Sequence, residues 1–87
     1  MVEREEPITT EQLAEARHYS MVIAWSPEDE AYIVRVPELP GLLTHGATHA
    51  EAVEMGHEAI AIYLASCRND GCPVPPPRYF VAEPLAV

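Results

Sequence analysis

Hydrophobic and polar side chains alternate in two neighbouring segments of the chain. In residues 19–25 the large side chains at positions 19, 21, 23 and 25 fall on one face of an extended strand, and residues 31–36 repeat the pattern. The polar residues 26–30 between them have the length of a hairpin connection. The pattern therefore predicts two antiparallel strands joined by an acidic turn.

Two capping boxes mark the starts of two helices. Thr9 is followed three residues later by Gln12, which predicts a short peripheral helix, and Thr48 is followed in the same way by Glu51. The longest stretch with helical periodicity runs over residues 49–68. We expect this second helix to be the main one.

The long helix carries a continuous apolar face and a second apolar flank. The first face is expected to lie on the sheet and consists of Val53, Gly56, Ile60, Tyr63, Leu64 and Cys67. The flank includes Met55, Ala59 and Ile62, and it is more apolar than a helix covered on one side needs. Two interpretations stay open: the flank widens the core or contacts the N-terminal helix, or it forms a contact between subunits. On the second interpretation, Met55, Ala59 and Ile62 are the candidate oligomer interface.

The remaining segments complete a single domain. Pro37 ends the second strand, residues 42–44 form a short third strand, and a last strand is predicted at 78–81 after a proline-rich run. The predicted order is α-β-β-β-α-β, an α+β fold in which one long helix covers a face of an antiparallel sheet. Residues 1–8 are expected to form an acidic tail before a single domain at 9–87.

Length and composition fit one small folded domain. The chain has 87 residues, of which 48% are hydrophobic and 22% are charged, which is the balance of an ordinary globular protein. A domain of this size buries only about 60–65% of the surface that its unfolded chain exposes. Oligomerisation commonly adds the buried surface that a small domain lacks, so we expect self-association as a homodimer or tetramer.

Net charge narrows the class of partners. Fourteen acidic and five basic side chains give a formal charge of −9, and the basic residues are arginines scattered singly. Such a chain repels phosphate backbones and anionic lipids, so we expect no direct nucleic-acid or membrane binding and favour a basic macromolecular partner. The opening residues Met1 to Glu6 lack the cationic start and apolar run of a secretory signal, so we expect a cytoplasmic protein.

Side chains that support catalysis or bind a cofactor do not come together in the sequence. A two-metal nuclease needs carboxylates on its central strands, and residues 19–25 and 31–36 contain none. The spacing between Cys67 and Cys72 is wider than that of the usual zinc pair, so we interpret Cys67 as a core residue and Cys72 as a free thiol. We predict no enzyme activity, no metal and no cofactor.

The order of these features resembles the HicB antitoxin family over roughly two thirds of the chain. The resemblance rests on the strand Tyr19 to Trp25, the acidic turn Glu28 to Glu30, the aromatic Tyr32, the Val-Pro-x-Leu-Pro-Gly segment Val36 to Gly41, the helix capped by Thr48, and the prolines within Pro73 to Pro77. Each feature alone is common. Their order and spacing together are specific.

The resemblance implies a partial ribonuclease H-like fold that has lost catalysis. It also implies a partner: a small, basic, HicA-like toxin that cleaves mRNA and is blocked when the antitoxin binds it. Many members carry a further DNA-binding domain, and because this sequence ends at Val87, directly after the last predicted strand, we expect no promoter binding by this polypeptide. The alternative function is that of a stand-alone oligomeric α+β domain that binds or regulates something other than a toxin.

Candidate partner-binding residues cluster around the predicted hairpin. Acidic side chains attract a cationic toxin, and aromatic side chains with polar tips suit short-range contact. The acidic candidates are Glu28, Asp29, Glu30 and Glu38, and the aromatic candidates are Trp25 and Tyr32. For Trp25, burial in the core stays an open alternative. His45 and His49, just before the long helix, are interpreted as exposed turn residues.

Overall fold

A computed structural model describes residues 8–82 of the chain. Its elements follow in the order α1 (Thr10–Ala16), β1 (Val22–Ser26), β2 (Ala31–Arg35), β3 (Leu43–Gly46) and α2 (His49–Asn69). The α+β class is confirmed. The predicted acidic tail lies outside the described residues except for Ile8, which packs against the core cluster. The boundary between tail and domain stays a prediction.

The three strands form one antiparallel sheet in the order β1-β2-β3. Val34 lies opposite Ile23 on β1 and opposite Thr44 on β3. Opposed residues share a face, so these three side chains lie on the same side of the sheet, as the alternating pattern predicts. Strand β1 begins three residues later than expected because the backbone N–H of Tyr19 still bonds to the carbonyl of Ala16 in the turn after α1.

Helix α2 packs across β2 and β3 and leaves β1 largely uncovered. Two glycines allow the close approach. Gly56 faces the side chains of Met21 and Val34, and a methyl group at Gly46 would lie only 2.5 Å from the backbone nitrogen of Ala52. The main core cluster consists of Ala16, Tyr19, Val36, Leu39, Ile60, Ala61 and Leu64.

The apolar face predicted for α2 is largely confirmed. The predicted positions that are buried are Gly56, Ile60, Leu64 and Cys67, and Ala52 and Ala61 are buried beside them. On the flank, Met55 is 37% exposed and Ile62 is 53% exposed, while Ala59 is partly buried. Cys67 is a core residue, as predicted, and Cys72 is an exposed free thiol. No helix within residues 8–82 is both long and apolar enough to cross a membrane.

The last predicted strand does not form. Residues 78–82 pair with no strand of the described chain, and Tyr79, Phe80 and Val81 are 66%, 91% and 74% exposed. Aromatic and β-branched residues at 79–81 favour a strand, but a strand also needs a neighbouring strand to pair with. The relation to the ribonuclease H fold stays a prediction.

Candidate partner-binding site

Three aromatic rings lie in a row that joins the hairpin to the start of α2. Trp25 and Tyr32 are opposed on β1 and β2, and their ring centroids are 5.0 Å apart at an interplanar angle of 67°. The Tyr32 ring lies against His49, the first residue of α2, with centroids 4.1 Å apart and an angle of 34°. Edge-to-face and offset contacts of this kind hold rings in fixed relative positions. We call Trp25, Tyr32 and His49 the aromatic row.

The outer end of the aromatic row faces solvent. Trp25 is 50% exposed, whereas Tyr32 is partly buried. The difference follows from the position of α2, which packs on β2 and not on β1. Burial of Trp25 in the core, the alternative left open by the sequence, is therefore wrong for this chain.

The acidic hairpin, Glu28 to Glu30, projects beside the aromatic row. All three side chains are exposed. The hydroxyl of Ser26 donates to the Asp29 carboxylate at 2.9 Å, and the Asp29 backbone N–H donates to that hydroxyl at 3.3 Å. Glu30 has a φ of 52°, in the left-handed region that glycine adopts at less cost. The turn thus holds a carboxylate at a position where glycine would be less strained.

A cleft of about 370 Å³ lies between the hairpin and the start of α2. Its lining consists of Asp29, Glu30, Ala31, His45, Gly46, Ala47, Glu51 and Met55. The Glu51 carboxylate accepts from the Ala47 backbone N–H at 2.5 Å, and the Glu51 N–H donates to the Thr48 hydroxyl at 3.0 Å. The capping box predicted at Thr48 is therefore half formed, because Glu51 reaches one residue further back than expected.

Glu38 must be removed from the predicted site. It is 6% exposed, and its carboxylate accepts from the Ser20 backbone N–H at 3.0 Å, the Ser20 hydroxyl at 2.9 Å and the Arg78 backbone N–H at 2.8 Å. Burial alone would raise the pKa of Glu38, but these hydrogen bonds outweigh it and lower the pKa below the usual range of a glutamate. Glu38 is a buried structural acid, because three donors replace the water that an exposed carboxylate would bind.

His49 is the residue of this region whose contact the sequence did not indicate. His49 is exposed, as predicted, but it is the first residue of α2 rather than a turn residue, and its ring lies on Tyr32. Only part of the signal is in the sequence: Thr48 caps the helix and fixes His49 in its first turn. The other part, the position of Tyr32 opposite Gly46, comes from the register of the sheet. His45 lies on β3 and is exposed, in the lining of the cleft. Among residues 8–82, no three His, Cys, Asp or Glu side chains are placed to hold a metal ion.

Comparison with known proteins gives two matches. Residues 19–83 match the family described as "HicB_like antitoxin of bacterial toxin-antitoxin system". The chain is 41% identical to "UPF0150 protein Ta0767" of Thermoplasma acidophilum over 54 residues. The aligned region covers 62% of this chain and 78% of that protein. No solved structure matches the chain. The matched region contains the whole sheet, helix α2, the aromatic row and the acidic hairpin.

Proposed function

This chain belongs to the HicB-like antitoxin family, and on that premise we propose that it neutralises a small, basic, HicA-like toxin that cleaves mRNA. The family supports an antitoxin role in general and a role without catalysis. The observation that carries the finer proposal is the aromatic row beside the acidic hairpin. The mechanism is occlusion: the antitoxin covers the cationic surface with which the toxin binds RNA, in the cytoplasm.

The charge of the chain suits this partner. The formal charge of −9 attracts a cationic protein at long range, and the exposed hairpin concentrates three carboxylates within three consecutive residues. Asp29 and Glu30 also line the cleft, together with Glu51. A lysine or arginine of the toxin that enters the cleft would meet these carboxylates. Electrostatic attraction of this kind mainly raises the association rate.

The aromatic row supplies short-range contact. Half of the Trp25 side chain is exposed, so there is apolar surface left for a partner to bury. Its other half is fixed against Tyr32, which His49 supports from the far side. A rigid aromatic side chain loses little conformational entropy on binding, which is why tryptophan and tyrosine are enriched among residues that dominate binding energy.

The backbone at Glu30 is a further argument for function at the hairpin. A non-glycine residue in the left-handed region costs about 1 kcal/mol relative to glycine. Strained residues cluster at binding sites, where the side chain contributes something that offsets the strain. Glu30, with a φ of 52°, lowers the stability of the fold slightly and supplies the third carboxylate of the hairpin.

The experiment is co-expression of this protein with the short basic protein encoded by the neighbouring reading frame, followed by co-purification and an RNA-cleavage assay. The expected result is a complex in which cleavage is suppressed. A variant with Trp25→Ala and Glu28→Lys should lose suppression. A matched variant that carries Glu58→Lys on the exposed side of α2 should retain it.

Two outcomes would contradict the proposal. One is that no complex forms with any basic neighbour. The other is a complex that leaves RNA cleavage unchanged. Either result favours the alternative, a stand-alone oligomeric domain, for which the exposed flank at Met55, Ala59 and Ile62 would be a contact surface.

A further inference from the structure

We propose that residues 79–82 pair with the outer edge of β1 in a second copy of the chain, so that two copies exchange these segments reciprocally. We call residues 79–82 the C-terminal arm. The inference concerns self-association and does not depend on whether the partner is a toxin. It rests on how the arm is held, on what it exposes, and on what β1 leaves unpaired.

The base of the arm is fixed to the domain. The Arg78 backbone N–H donates to Glu38 at 2.8 Å, and the hydroxyl of Tyr19 donates to the carbonyl of Pro75. Proline restricts the backbone of residues 75–77 further, since its ring fixes φ. The arm thus leaves the domain from a defined point.

The arm does not follow β1 of its own chain. The Tyr79 ring lies 6.1 Å from the ring of His18, which precedes β1, and residues 79–82 pair with no strand in the described part of the molecule. Phe80 is 91% exposed and Val81 is 74% exposed. A segment with consecutive exposed aromatic and β-branched side chains has the composition of a strand that lacks its neighbour.

Strand β1 is the matching surface. Within residues 8–82 it is an edge strand, paired with β2 only, and α2 leaves it largely uncovered. Both faces of the sheet have apolar surface at this edge: Val22 is 43% exposed on one face and Trp25 is 50% exposed on the other. Side chains of an added strand alternate between faces, so Phe80 would lie on one face and Tyr79 and Val81 on the other.

A second copy is the occupant that satisfies both surfaces at once. In the described part of the molecule each chain carries one unpaired arm and two edge strands, β1 and β3, and β1 is the edge that α2 leaves largely uncovered. A two-fold axis joins the arm of each chain to β1 of the other. Aromatic side chains bury about 150–250 Å² each, so an arm offers on the order of 400 Å². Two arms and the surfaces that they cover then approach the roughly 1,200–2,000 Å² of a stable interface.

Salt dependence separates this contact from the proposed contact with a toxin. Two chains of −9 repel each other, so screening by salt should leave the dimer unchanged or strengthen it. Binding of a cationic toxin should weaken under the same change. The two proposals can therefore fail independently.

The test is sedimentation equilibrium of the full chain at micromolar concentration, at low and high salt. The wild type should be a dimer or a multiple of dimers. Phe80→Asp should weaken dimerisation at least about tenfold, because it places a charge at the centre of an apolar contact. The competing interface is tested by Ile62→Asp, a 53% exposed apolar position on the flank of α2 that the sequence offers as a subunit contact; if the arm forms the contact, this substitution should leave the dimer intact. Far-UV circular dichroism checks that each variant is folded.

A mixing experiment tests the reciprocity. Phe80→Asp disrupts the contact surface of the arm and leaves the edge of β1 intact. Val22→Glu disrupts the edge of β1 and leaves the arm intact. Each variant alone should be monomeric, and their mixture should form dimers that contain one chain of each, held by one intact contact. A monomeric wild type, or dissociation by Ile62→Asp and not by Phe80→Asp, would overturn the proposal. So would a mixture that stays monomeric.

Discussion

The carboxylate of Glu38 accepts a 2.8 Å hydrogen bond from the backbone N–H of Arg78, 40 residues further along the chain. The same carboxylate accepts two hydrogen bonds from Ser20. One buried acid therefore holds together the turn after β2, the residues before β1 and the base of the C-terminal arm. A buried carboxylate is tolerated in such a place only when donors replace its water.

We predict that Glu38→Ala lowers the free energy of unfolding by about 2–4 kcal/mol, because it leaves the Ser20 and Arg78 N–H groups without an acceptor. Urea denaturation measures the change. The control is Glu58→Ala, which removes an exposed glutamate from α2 and should change stability by less than about 0.5 kcal/mol. Equal effects of the two substitutions would show that the Glu38 network contributes nothing to stability.

The pH dependence of stability should carry the signature of Glu38. Its pKa is lower in the folded protein than in the unfolded chain, so its stabilising contribution is complete above the unfolded pKa. That contribution is lost as pH falls through the folded pKa. Glu15, whose pKa is lowered chiefly by its hydrogen bond to Arg68, acts in the same direction.

We therefore expect the wild type to lose stability in acid, below about pH 4, the region in which an unperturbed glutamate titrates. Thermal unfolding across this range should show a shallower decline for Glu38→Gln, which cannot ionise. A decline of the same steepness in both proteins would mean that Glu38 is not one of the groups responsible.

The sequence indicates most of the secondary structure because the local signals agree with the fold. Thr9 does form its predicted capping box with Gln12, and the alternating segments do pair as a hairpin. What it does not indicate depends on contacts distant in sequence. Glu38 looks like a surface acid until Ser20 and Arg78 are brought to it. The aromatic and β-branched residues at 79–81 favour a strand, but they do not indicate whether the segment meets a strand with which it can pair.

The candidate site shows the same division. The acidic hairpin can be located from composition alone, since three consecutive acids in a turn are exposed in almost any fold. The exposure of Trp25 cannot be predicted in this way, because it depends on α2 covering β2 and β3 but not β1. The contact between His49 and Tyr32 also requires the crossing of a helix over a strand.

Two glycines that pack against other elements should differ in their tolerance of a methyl group. At Gly46 the methyl would meet the backbone of Ala52 at 2.5 Å, and a helix backbone cannot move aside. Gly46→Ala should therefore destabilise the protein by about 2–3 kcal/mol.

At Gly56 the methyl would meet mainly the end of the flexible Met21 side chain, with Val34 at 3.2 Å. Alanine also favours the helix over glycine by about 1 kcal/mol, which offsets the repacking. Gly56→Ala should be nearly neutral. Chemical denaturation measures the free energy of unfolding of both variants. A Gly56→Ala variant that is less stable than Gly46→Ala would contradict the packing described for α2.

Glu30→Gly should stabilise the free protein by about 1 kcal/mol, since glycine adopts a φ of 52° without strain. The same change removes one hairpin carboxylate and should slow association with a cationic toxin. Glu28→Gly is the control: it removes the same charge but no left-handed residue, so it should not stabilise. Thermal denaturation compares the two, and no gain from Glu30→Gly would show that the turn is unstrained.

The acidic hairpin and Trp25 should affect different rate constants of toxin binding. Glu28→Lys changes the long-range field, so it should lower the association rate at low salt and have little effect at high salt, where exposed charges are screened. Glu58→Lys makes the same change of charge on α2 and should slow association less, because it lies away from the proposed contact.

Trp25→Ala should leave the association rate nearly unchanged and raise the dissociation rate, because it removes apolar contact that forms only after the two proteins meet. Loss of a well-packed tryptophan from an interface costs about 2 kcal/mol or more, which corresponds to a dissociation rate at least about thirtyfold higher. Surface plasmon resonance at two salt concentrations measures both constants. If Trp25→Ala slows association while Glu28→Lys speeds dissociation at all salt concentrations, the roles of the two parts of the site are reversed. If neither substitution changes either rate, the toxin binds elsewhere on the molecule.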